Sequence, residues 1–125
     1  MLPLKRLLLA ASMCCLVATA NAAPIDDAAA AYLRGDYAQA LKILRPLAEQ
    51  GDAAAQYNIG LMYAKGQGVI QDYASAHMWF NLSSASGNAD GAKNRDVTAQ
   101  RMTPQQIEKA QDMARKCQAR NFKGC

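Results

Sequence analysis

The residues that could do chemistry in this chain are few and far apart. His77 is the only histidine. To bind a metal or to activate a nucleophile it would need a second ligand, a thiol or a fixed carboxylate beside it. Ala76, Met78 and Trp79 flank it and supply none. It also falls one position off the apolar stripe of its segment, which predicts an ordinary, partly exposed histidine at a helix edge. Asp36, Asp52 and Asp72 have the side chain for general acid–base work, but each opens an apolar-periodic segment, where helix capping explains it. Ser83-Ser84 lacks the strand-to-helix elbow that presents a nucleophilic serine. Gly66-x-Gly68 is not followed by the further glycine or the Lys-Ser/Thr of a phosphate-cradling loop. The pattern therefore yields no catalytic, cofactor-binding or metal-ligating residue, and the expected protein is not an enzyme.

The four cysteines fall in two pairs. Cys14 and Cys15 sit in an N-terminal stretch with Lys5 and Arg6 ahead of an apolar run, Leu7 to Val17, broken only by Ser12. Ala20-Asn21-Ala22 then offers small residues at the −3 and −1 positions of a cleavage site. A charged start, a short apolar middle and an A-x-A end predict a secretory signal peptide over residues 1–22, with Ala20 as the alternative cleavage point. The run is well short of the roughly 20 residues that span a bilayer, so no membrane span is expected after cleavage. Met13 stands before Cys14 where a lipoprotein would carry a small residue. The expected localisation is periplasmic or secreted.

Cys117 and Cys125 remain, in a compartment where disulfides form. On an unbroken helix they would be about 12 Å apart, too far for a bridge whose Cα atoms lie within about 7 Å. Asn121 and Gly124 favour a turn between them, and a disulfide closing the tail over residues 119–125 is the leading expectation. Two free thiols, or a bond to another chain, are the alternatives. The charge is lopsided: residues 23–92 hold four basic and seven acidic side chains, and residues from Lys93 onward hold eight and three. The basic residues are scattered without aromatic interleaving. That reads as solvated helix faces and excludes a nucleic-acid partner.

The elements that position these residues are all helical. No segment alternates apolar and polar in the manner of a strand. A first helix is predicted over Ala28–Arg34 with Asp26 or Asp27 as its cap, and a second from Asp36 to about Gln50. Tyr37, Ala40, Leu41, Leu44, Leu47 and Ala48 lie on one face of the second, and Pro46 should kink it near Lys42–Ile43. Ala53–Lys65 follows, with Ala55, Ile59, Met62 and Tyr63 inward. Gly60 in mid-helix costs about 1 kcal/mol relative to Ala, which makes sense if another backbone approaches there. Val69 and Ile70 should tuck under the Gly-rich turn. Tyr73–Ser86 turns Tyr73, Ala76, Trp79, Phe80 and Ser83 inward, Asn88 caps a weak fifth helix over Ala89–Met102, and Thr103-Pro104-Gln105-Gln106 restarts the chain as a sixth.

The segments also repeat. With Asp36–Ala53 laid on Asp72–Ala89, the pairs Asp36/Asp72, Tyr37/Tyr73, Ala38/Ala74, Ala40/Ala76, Gly51/Gly87 and Ala53/Ala89 are identical. The run Ala53-x-x-Gln56-Tyr57-x-Ile59-Gly60-x-x-Tyr63, then Gly66-x-Gly68-Val69-x-x-Asp72-Tyr73-x-x-Ala76-x-x-Trp79-Phe80, closes at Gly87. In these residues the chain resembles the Sel-one-like repeat family, relatives of the tetratricopeptide repeat with a longer unit. The resemblance covers one complete repeat over residues 51–87, a shorter-turned unit over Tyr32–Gly51, and a degenerate cap over Gly87–Cys117. It implies an all-α, short right-handed α-α superhelix of about three antiparallel helix pairs over residues 23–118. The interval between Cys117 and Cys125 resembles that of secreted cysteine-rich members, where a disulfide ties helix to helix.

Solenoids leave part of the first helix of each pair on a concave face. Gln56, Asn58 and Met62, with Tyr32 and Arg34 from the preceding unit, are the candidate partner-binding residues. The resemblance implies an exported adaptor or scaffold of the cell envelope that binds a protein or peptide. The alternative it implies is a cell-wall-related or β-lactam hydrolase-like activity, for which no nucleophile–base pair is present. A redox role for Cys117 and Cys125 is a third reading. Incomplete repeats also leave apolar ends that could stack between copies.

Overall fold

A computed structural model describes residues 23–125. The expected signal peptide, with Cys14 and Cys15, lies outside the described residues. The described chain is six α-helices: α1 (Ala23–Leu33), α2 (Tyr37–Glu49), α3 (Ala53–Lys65), α4 (Tyr73–Ala85), α5 (Ala89–Ala99) and α6 (Pro104–Ala119). Helices α1 to α5 each pack on the next, and α6 packs back on α4, which makes an α-solenoid.

Local sequence explains the boundaries. Asp36, Asp52, Asp72 and Asn88 each accept a backbone N–H of the helix they precede, at 3.2, 2.8, 3.0 and 2.9 Å. Thr103 and Gln106 form the reciprocal capping box expected of them. Helix α2 closes at Gly51 (φ 88°): the Gly51 N–H donates to the Ala48 carbonyl and the Asp52 N–H to that of Leu47. Asp52 is already the cap of α3, so one residue ends a helix and the next begins another. The α3–α4 connection is longer, and it folds back onto the α1–α2 turn, with Gly68 against Tyr37.

Helix α4 is the hub. It packs on α3, α5 and α6, and its residues Ala76 to Phe80 are buried without a break. Ile59, Met62, Trp79, Phe80 and Leu82 fill the centre. Helix α6 presents Ala110, Ala114 and Cys117 to this core and turns its charged residues outward. Cys117 and Cys125 are joined by a disulfide with Cα atoms 5.7 Å apart, and α6 ends between them.

Several local expectations are corrected. Helix α1 already includes Asp26 and Asp27, so neither is its cap. Helix α5 stops at Ala99 instead of Met102. Helix α2 continues across Pro46, as a kink without a break allows, and the Pro46 carbonyl still accepts from the Gln50 N–H. What lies over Gly60 is the Phe80 ring and not a backbone: a Cβ on Gly60 would stand 2.7 Å from two ring carbons. The close backbone approach is at Gly91, where a Cβ would meet the Phe80 carbonyl oxygen and the Ser84 nitrogen, each at 2.9 Å. Val69 packs on the core, but Ile70 is 91% exposed. His77 is 3% exposed rather than at an edge, because α4 is packed by α3, α5 and α6 and not by one neighbour.

Candidate functional groove

A concavity lies between the first helices of the first two pairs. Ala28, Ala29, Tyr32 and Leu33 of α1 face Asn58, Leu61 and Lys65 of α3, with Leu44 of α2 as the floor, around a cavity of about 350 Å³. The sequence makes this space directly. Helix α1 carries alanines from Ala28 to Ala31, and Ala28 and Ala31 go into the core while Ala29 faces outward. A helix of small side chains lies low over the floor and leaves its flank open to α3.

One wall is fixed by polar contacts. The Tyr32 hydroxyl donates to Gln67 Oε1 at 2.7 Å, and Gln67 Nε2 donates to the Tyr37 hydroxyl at 3.4 Å. The two tyrosine rings sit with centroids 5.2 Å apart and tilted by 59°. Gln67 comes from the α3–α4 loop, so the longer turn of the second unit orients the aromatic wall supplied by the first. Apolar side chains dominate the lining. Lys65, in the last turn of α3, is the charged side chain at the groove's edge. It forms no ion pair among the described residues. An apolar trough with a few polar groups on its rim suits an aliphatic or aromatic side chain presented by a partner.

Of the five partner-face residues expected from sequence, Tyr32 and Asn58 line the groove. Arg34 is exposed beyond the end of α1 and is not part of the lining. Gln56 and Met62 are fully buried and cannot meet a partner. Gln56 Nε2 donates to the Ala48 carbonyl at 3.1 Å, so this polar side chain joins α3 to α2. Met62 lies in the core beside Ile59 and Trp79. The physical reason is that α3 is sandwiched by α2 and α4, which leaves only the Asn58–Leu61–Lys65 edge open. Leu33, Leu61 and Lys65 were not expected as lining residues. A step of three and then of four along the helix from Asn58 reaches Leu61 and Lys65.

His77 is buried on α4. Burial holds its imidazole below the ordinary value of 6.5, and the Arg95 guanidinium adds to this while Asp96 opposes it. Its Nδ1 has no hydrogen-bond partner. Arg95 itself donates to Asn81 Oδ1 at 3.1 Å and pairs with Asp96 at 3.0 Å. Among the described residues no group of three or more His, Cys, Asp or Glu gathers in a way that could hold a metal ion. No helix among them is long and apolar enough to cross a membrane.

Comparison with known proteins places these features. The profile of the Sel1 repeat matches residues 28–52 and 53–88. The shorter first match corresponds to α1–α2 with its tight turn, and the second to α3–α4 with its longer one. A solved structure of a protective antigen present in uropathogenic Escherichia coli strains, displaying an SLR fold, superposes with a TM-score of 0.71 at 31% identity. The match covers 80% of this chain and 23% of that one, so this chain spans about a quarter of the length of that antigen. No curated protein matches the sequence.

Proposed function

The chain is a Sel1-repeat protein with an all-α solenoid fold, and from that premise we propose that it is a protein–protein interaction adaptor. Its partner is a protein or peptide segment, and the site is the groove between α1 and α3. The observation that carries this reading is the groove itself: an apolar concavity, left open by the helices of the described residues, on the first helices of two successive repeats. Repeat solenoids use that face to hold extended partners, and nothing in the groove has the nucleophile–base geometry of an enzyme.

We further propose that the adaptor is exported and works in the cell envelope. The charged-then-apolar N-terminal stretch ending in Ala20-Asn21-Ala22 supports this, as does a disulfide, which persists in oxidising compartments. The test is crosslinking in the native envelope followed by mass spectrometry, with the chain and with a Leu61→Asp variant. A charge placed in the apolar trough should abolish crosslinked partners while leaving helical content unchanged. Unchanged partners in the variant would remove the groove from consideration, and recovery of no protein partner at all would count against an adaptor.

A further inference from the structure

The C-terminal tail closes over a second, separate feature of the fold. Helix α6 ends with the Asn121 N–H donating to the Gln118 carbonyl and the Phe122 N–H to that of Cys117, both at 3.0 Å. Helix α2 ends with the same pattern at Gly51 and Asp52. These two helix ends meet. The Phe122 ring lies over Gly51, where a Cβ would stand 3.5 Å from its Cε2 atom. The half-buried ring thereby covers the turn at which one matched repeat, residues 28–52, passes into the next, residues 53–88. A cleft of about 250 Å³, lined by Leu47, Gln50, Gly51 and Asp52, opens at that turn.

What keeps Phe122 there is not backbone bonding to the rest of the protein. Among the described residues, the backbone hydrogen bonds of Asn121, Phe122 and Lys123 all go to the last turn of α6. Asn121 and Phe122 both adopt the left-handed conformation, φ 53° and 65°. Asparagine tolerates that region; a phenylalanine there is an outlier that its surroundings must enforce. Two things enforce it: the contact with Gly51 and the bond from Cys125 back to Cys117. Cys117 is fully buried on α6, whereas Cys125 is only partly covered. The bond is thus anchored in the core at one sulfur and open to attack at the other.

We propose that residues 117–125 form a redox-sensitive strap, closed by the Cys117–Cys125 disulfide, that holds Phe122 over the junction between the two repeats. A dithiol reductant attacks Cys125 Sγ, and Cys117 leaves as a thiolate that takes up a proton. The reductant's second thiol then displaces Cys125 and the reductant becomes the disulfide, so two electrons pass to the two cysteines. The freed tail is then held only by its hydrogen bonds to the end of α6 and by the packing of the Phe122 ring. Phe122 can then leave the left-handed region and lift from Gly51, which uncovers the backbone of the turn at Gly51. This device is independent of the groove between α1 and α3 and stands whether or not that groove binds a partner.

The test is hydrogen–deuterium exchange on the full chain, purified without reductant and then with dithiothreitol, with intact mass reporting the state of the thiols. The expected result is faster exchange, by tenfold or more, at the amides of residues 121–123 and of Gly51 and Asp52 after reduction, with α4 unchanged. Phe122→Ala, still oxidised, should speed Gly51 and Asp52 alone, because the tail stays tethered while the cover is gone. Cys125→Ser should match the reduced chain without any reductant. Equal exchange at Gly51 and Asp52 in the oxidised and reduced states would overturn the proposal. So would loss of protection throughout α4 on reduction, since the disulfide would then hold up the whole fold.

Discussion

Replacing Gly60 with alanine is the sharpest test of how α3 and α4 are packed. In an exposed helix the change would gain about 1 kcal/mol from helix propensity. Here the new methyl would stand 2.7 Å from Cδ1 and Cε1 of Phe80, well inside the roughly 3.5–4.0 Å that carbon atoms prefer. The ring is 1% exposed and has nowhere to swing. Overpacking of a tight core costs about 1–3 kcal/mol, so near the top of that range the net effect is a loss of about 2 kcal/mol. For a domain of this size that lowers Tm by roughly 10 °C, read by circular dichroism at 222 nm. Phe80→Leu in the Gly60→Ala background should recover part of the loss, because the obstructing ring is removed. Gly91→Ala is the contrast. Its methyl meets backbone atoms of Phe80 and Ser84, so it should be at least as damaging, and Phe80→Leu should not rescue it. A Gly60→Ala protein as stable as the parent, or equal rescue at both sites, would refute this account of the packing.

Two further outcomes follow from the caps and from the buried histidine. Folding holds His77 below its ordinary value of 6.5, so between the two values the unfolded chain binds more protons and stability rises with pH. That contribution is complete above about 6.5 and fades as pH falls through it, by at most about 1.4 kcal/mol per pH unit for one proton. Urea midpoints between pH 7.5 and 5 should fall, and His77→Gln should flatten the slope. Asp52→Ala removes the acceptor for the Ala55 N–H at 2.8 Å and should cost about 1 kcal/mol. Asp36→Ala, whose bond is longer and exposed, should cost less, and the two Tm values can be compared directly.

The helices were legible because their ends are chemical. Asp36, Asp52, Asp72 and Asn88 each precede an apolar run, and each one caps a helix. The repeat was legible because small and capping residues recur at a fixed offset. The same offset carries Ala55 onto Gly91, and so could have marked Gly91 as a second place of close packing. The errors came from treating each helix as having one buried stripe. Periodicity reports a helix with one neighbour, and α4 has three, so His77 went in where an edge was expected. Gln56 failed for a related reason: it reads as a surface amide, yet it spends its Nε2 on the Ala48 carbonyl inside the core. The groove was half legible. Tyr32 and Asn58 follow from the concave-face rule, but the open flank depends on how far α1 stands from α3, which no local pattern encodes.

The burial of α4 on three sides also sets how the chain can be divided. An ideal repeat array can be cut between units, since each contacts only its neighbours and stability falls by one increment at a time. In this protein the second repeat ends at residue 88 by sequence, but its second helix is walled in by α5 and α6. Removing residues beyond 88 would strip that cover from α4. Helices α5 and α6 therefore wall in the second repeat's interior and are not a mere addition to it. Loss of a whole unit, one usual way such arrays change length, would here open the interior of the repeat before it.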